Sequence, residues 1–93
     1  PRGELIIDDG AKQALKKGKS LLAAGIKKVF GKFNKGDHIK IIGKDHKECA
    51  RGLSSFSSVE ILKIMSHHSN EIQNLLGYIS KSEFVHKDDM VDI

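Results

Sequence analysis

Nine glycines spread through 93 residues, against one proline at position 1, confine this chain to short elements joined by tight turns. The first of those elements is the apolar run Glu4–Ile7, suited to a strand. Asp8 and Asp9 then offer an N-cap for a helix over about residues 10–17, with Gly18 placed as the residue that ends it. Ala11, Ala14, Leu15 and Gly18 share one face of that helix, and Lys12 and Lys16 share another. Acids at its start and Lys16 and Lys17 at its end complement the helix dipole.

Leu21–Phe30 reads as extended, but Ile26 and Val29 are three apart, so burying both requires a bulge or bend between them. Asn34-Lys35-Gly36-Asp37 is a turn in which Gly36 takes positive φ. His38–Ile42 follows as a strand with Ile39 and Ile41 on one face, and Gly43-Lys44-Asp45-His46 turns it into a hairpin with Glu48–Ser55. Ser57-Ser58-Val59-Glu60 fits a capping box opening a helix over Val59–Met65. A second short helix is signalled by Ile72, Leu75 and Leu76, capped by Ser69 and closed by Gly77. Glu83–His86 reads as a strand, with Met90-Val91 as its continuation after Lys87-Asp88-Asp89. The pattern predicts a mainly β domain with flanking helices, built as a small mixed sheet or partly closed barrel.

Charge is unevenly placed. Residues 1–50 hold twelve Lys/Arg and six Asp/Glu, whereas residues 51–93 hold four and six. Lys12–Gly36 alone carries eight lysines and no acid. Such a stretch is either a solvated fringe or a surface for polyanions, and lysines without arginine favour phosphates as point charges over base edges. The five aromatics supply only a thin stacking platform for single-stranded bases.

Catalytic patterns are sparse. His67-His68 are adjacent, so their rings diverge on either a helix or a strand and do not readily chelate one zinc. Cys49 and His46 are three apart, which in a regular strand sends them to opposite faces; Cys49 reads as a half-buried structural thiol. Asp8-Asp9 and Asp88-Asp89 read as capping or solvated acids. Gly31–Asp37 lacks the Gly-Lys-Ser/Thr ending of a phosphate loop. A single cysteine excludes an internal disulfide and fits a reducing cytoplasm, and no apolar run reaches membrane-spanning length. The start Pro-Arg-Gly-Glu, without methionine, reads as a piece of a longer protein.

Taken in order, Gly3-Glu4-Leu5-Ile6-Ile7-Asp8-Asp9-Gly10-Ala11, Gly18-Lys19-Ser20-Leu21-Leu22 and Gly25-Ile26 resemble the opening of a PUA domain. Phe33–Asp37, Ala50-Arg51-Gly52 and Ser57-Ser58 resemble its central hairpin and exit. His67–Ile72, Leu75-Leu76-Gly77-Tyr78 and Val85–Met90 narrow the resemblance to the C-terminal PUA domain of bacterial glutamate 5-kinases. The resemblance implies a PUA-like β pseudo-barrel over residues 1–93. It implies a parent enzyme, a cytoplasmic homo-oligomer, that uses ATP and magnesium to phosphorylate the glutamate γ-carboxylate at the start of proline biosynthesis. Active site, cofactors and proline feedback site would lie in a preceding amino-acid-kinase domain, leaving this chain without catalytic residues, cofactor or metal of its own. Its partner would be that kinase domain, in a regulatory or assembly role. Structured RNA is the alternative partner, met in related PUA domains through the first helix and following strand. Those positions here are Lys12, Lys16, Lys17, Lys19 and Leu22, Ala23, Ala24, Gly25, Ile26. Ala23 departs from the proline common in the family, which restores an N–H and frees φ there.

Overall fold

The computed structural model describes residues 2–22, 25–65 and 83–92. Their order is β1 (Gly3–Ile7), α1 (Asp9–Lys16), β2 (Leu21–Leu22), β3 (Ile26–Gly31), β4 (His38–Ile42), β5 (Glu48–Leu53), α2 (Ser58–Ile64), β6 (Glu83–Val85), a 3-10 turn (Lys87–Asp89) and β7 (Met90–Asp92). The helix expected around Ile72–Leu76, and His67-His68, lie outside the described residues.

Five strands form one sheet in the order β3-β1-β4-β5-β7, and β2 pairs with β6 in a second, two-stranded sheet. Among the described strands, β1 and β4 are the pair that runs parallel. Alternation decides which residues meet the core: Leu5 and Ile7 of β1 and Ile39 and Ile41 of β4 are fully buried. The bulge expected between Ile26 and Val29 is present. Ile6 faces Lys28 and Ile7 faces Ile26, so Lys27 is the extra residue. That insertion leaves both Lys27 and Lys28 in solvent while Ile26 is fully buried. A second irregularity sits at Cys49, because Ile41 faces Ala50 and Ile42 faces Glu48.

Helix and turn chemistry follows local rules. Ser57 Oγ accepts from the Glu60 N–H at 3.2 Å and the Glu60 carboxylate accepts from the Ser57 N–H at 3.0 Å, completing the capping box of α2. Gly36 has φ +90° in the expected turn. The hairpin strand stops at Leu53, two residues early, because the Ser54 and Ser55 N–H groups donate to Asp37 and Phe84 carbonyls instead. Buried Ser54 and Ser58 are both hydrogen-bonded, to Phe56 and Phe33 backbone respectively.

Met90-Val91 is not the continuation of the Glu83–His86 strand. β6 pairs with β2, whereas β7 crosses to the edge of the large sheet, where Met90 faces Gly52. The intervening 3-10 turn makes the switch: His86 Nδ1 accepts from the Asp88 N–H at 3.1 Å, and Ser20 Oγ accepts from the Lys87 N–H at 2.8 Å. Phe84 and Val85 are thereby fully buried between the sheets, and the Phe84 ring lies 4.8 Å from that of Phe56.

Candidate functional site

Helix α1 is held at both ends. Asp8 Oδ1 accepts from the Ala11 N–H at 2.7 Å, and Gly18, at φ +79°, lets the Lys19 N–H return to the Ala14 carbonyl at 3.0 Å. Leu15 anchors the helix in the core, with Ala11 packed against it. Gly25 then comes back against the first turn, its carbonyl accepting from the Asp8 N–H at 2.9 Å. A Cβ on Gly25 would stand 2.5 Å from the Ala11 Cβ, so only glycine permits this approach.

Between α1 and the returning segment lies an open groove of about 590 Å³. Gly10, Ala11 and Ala14 form its helical wall, and Leu22 and Gly25 face them. Asp8, Lys19 and Lys87 are the charged residues that line it. A smooth, mostly small-residue trough with cations on its rim suits an extended anionic ligand or a chain segment.

The predicted positions divide. Lys19, Leu22 and Gly25 line the groove, and Leu22 is 45% exposed. Lys16 and Lys17 are exposed at the end of α1, without lining it. Lys12 turns to the β4–β5 hairpin, where its Nζ lies 3.0 Å from Asp45 Oδ2. That hydrogen bond raises the Lys12 pKa and lowers that of Asp45, which also accepts from the Lys47 N–H. Ile26 is fully buried, so its side chain belongs to the core. Ala23 and Ala24 lie outside the described residues. Lys87, which the sequence places only in the link between Glu83–His86 and Met90-Val91, reaches the groove through a pairing between residues more than sixty positions apart.

The other chemical candidates stay apart. The Cys49 Sγ contacts the Lys47 carbonyl at 3.7 Å, and His46 is exposed at φ +63° on the hairpin turn. Among the described residues, no three His, Cys, Asp or Glu side chains come together as metal ligands. No described helix is long and apolar enough to cross a membrane.

A model of the PUA domain matches residues 3–76. The chain belongs to the PUA domain family. This PUA domain is 74% identical over all 93 residues to a glutamate 5-kinase of Pelagibacter ubique, spanning 25% of that protein. It thus covers about a quarter of the length of the curated relatives it matches. Its fold is similar to a PUA domain of Aeropyrum pernix, with a TM-score of 0.68 at 20% identity over 91% of this chain and 41% of that one. It is also similar to a chain of an archaeal box H/ACA sRNP complex, with a TM-score of 0.64 at 25% identity over 90% of this chain and 24% of that one.

Proposed function

We propose that this PUA domain is the non-catalytic C-terminal module of a glutamate 5-kinase. The parent enzyme would transfer the ATP γ-phosphate to the glutamate γ-carboxylate, with magnesium, in the first step of proline biosynthesis. The observation that carries this reading is the 74% identity over the whole chain. ATP, magnesium and glutamate would be held by the remainder of the parent chain, working in the cytoplasm. The module's own role is regulation or assembly of the homo-oligomeric enzyme. Full-length enzyme and enzyme lacking these 93 residues are therefore expected to turn over glutamate and ATP alike. They should differ in oligomeric state by light scattering or in inhibition by proline. Identical behaviour in both assays would sink the regulatory role, and absence of kinase turnover in the full-length protein would sink the parentage.

A second reading, RNA binding in the groove, is favoured by one specific arrangement: Lys19 and Lys87 stand over the same trough although they lie far apart in sequence. Binding of a structured RNA would then weaken with salt. Removing both lysines would lower affinity and reduce the slope of log K against log salt by up to about 2. Removing Lys12, already paired with Asp45, is expected to have less effect. No detectable binding at low salt would eliminate this reading.

A further inference from the structure

The outer face of the five-stranded sheet carries a second surface, separate from the groove. Because Leu5 and Ile7 point into the core, Glu4 and Ile6 point away from it. Register extends the Glu4 row across the sheet, from Phe30 through Glu4, Lys40 and Arg51 to Val91. The neighbouring row contains Lys28, Ile6 and Ile42. Phe30 is 50% exposed, although it stands in a regular strand. Beside it is a shallow hollow of about 270 Å³, lined also by Arg2, Glu4 and Lys40.

The cations of this face are not equivalent. Arg51 is bonded to Glu48, and Arg2 Nε lies 3.9 Å from Asp37. Lys28 and Lys40 make no direct ion pair with a described residue, although Lys40 is near enough to help Arg51 hold the Glu48 carboxyl below its ordinary pKa. Ile6 and Ile42, partly buried on the neighbouring strands β1 and β4, Phe30 on the edge strand β3, and the lysines Lys28 and Lys40 give this face a mixed apolar and cationic character suited to docking. Glu4, within the same row, disfavours a purely anionic occupant and favours one that covers Phe30 with an apolar group. The outer face measures roughly 19 Å by 17 Å from strand spacing and rise, on the order of 320 Å² on each side. Counted on both sides, about 640 Å², full coverage of the face reaches the low end of the ~600–1,500 Å² buried between domains of one chain.

The chain itself enters at this patch. The Arg2 N–H donates to the His38 carbonyl at 2.8 Å, and Arg2 lines the hollow next to Phe30. On the reading that these residues are one module of a protein about four times as long, a preceding segment would be delivered to the rim of this face at high effective concentration. We infer that the outer sheet face docks the preceding part of the same polypeptide, through an acidic surface bearing an apolar side chain that covers Phe30. This rests on the modular reading above but names a contact which that reading does not require.

The test uses the full-length protein, treated with a carbodiimide that joins lysine amines to touching carboxylates and then mapped by mass spectrometry. Links from Lys28 or Lys40 to Asp or Glu residues upstream of Pro1, within one chain, are expected. Links from Lys40 should fall about tenfold both in Phe30→Ala and in Lys28→Glu, with the melting of each variant checked so that unfolding is not mistaken for undocking. Links only between separate chains would assign the face to a second copy and overturn the inference. So would the absence of links, or a face shielded from hydrogen exchange only after single-stranded RNA is added. Turnover of glutamate and ATP is measured on the same preparation. Links without turnover leave the docking standing and remove the kinase reading; turnover without links does the reverse.

Discussion

Gly52 shows how closely single residues are fitted here. A Cβ at that position would stand 2.6 Å from Val85 Cγ1 and 2.8 Å from the Asp89 carbonyl oxygen, where the two sheets meet. Gly52→Ala is therefore expected to destabilise the domain by about 1–3 kcal/mol, measured by urea unfolding. Lys12 teaches a different lesson. Its charge was visible in the sequence, but its partner Asp45, thirty-three residues away, was not. Asp45 titrates below the ordinary carboxylate range because Lys12 and the Lys47 N–H both bond its charged form. A lowered carboxylate contributes stability above its unfolded pKa and loses it as pH falls through the folded one. The melting-temperature gap between the wild type and Asp45→Asn should thus be present at neutral pH and close as pH falls through the lowered Asp45 pKa.

At the level of elements, what was legible depended on the range of the signal. The Ser57–Glu60 capping box, a cap at Asp8 or Asp9, the Gly36 turn and a bulge or bend between Ile26 and Val29 are legible within a few residues, whereas the pairing with β1 is what decides that Lys27 is the extra residue. Ser57→Ala should cost about 1 kcal/mol, seen as a lower urea midpoint, because it removes the Ser57 Oγ that accepts from the Glu60 N–H. The separation of β6 from β7 could not be read. Each strand has only three residues, too few for periodicity, and their partners lie far back along the chain. The groove was half legible for the same reason. Its α1 wall and Lys19 lie within one continuous segment, whereas Lys87 arrives through long-range pairing.

For the whole molecule, stability converges on the place where the two sheets close over one core. Phe84, fully buried and in contact with the Phe56 ring, stands at that closure. Phe84→Ala should remove about 3–5 kcal/mol, a large part of the ~5–15 kcal/mol that a domain commonly has. Thermal melting followed by circular dichroism would show the loss. Phe84→Leu, which keeps most of the volume, should lose much less. The exposed Phe30, by contrast, contributes little to this core, and its replacement by Ala should leave melting nearly unchanged.

The switch from β6 to β7 also sets a timetable. Among the described strands, Leu21 pairs with Val85, and β5 gains its second neighbour with Met90–Asp92. A chain emerging from the ribosome therefore holds β1, α1 and the β4–β5 hairpin well before it holds the residues that join the two sheets. The domain can close only after residue 92 has cleared the exit tunnel, so pausing synthesis earlier should leave the nascent chain protease-sensitive.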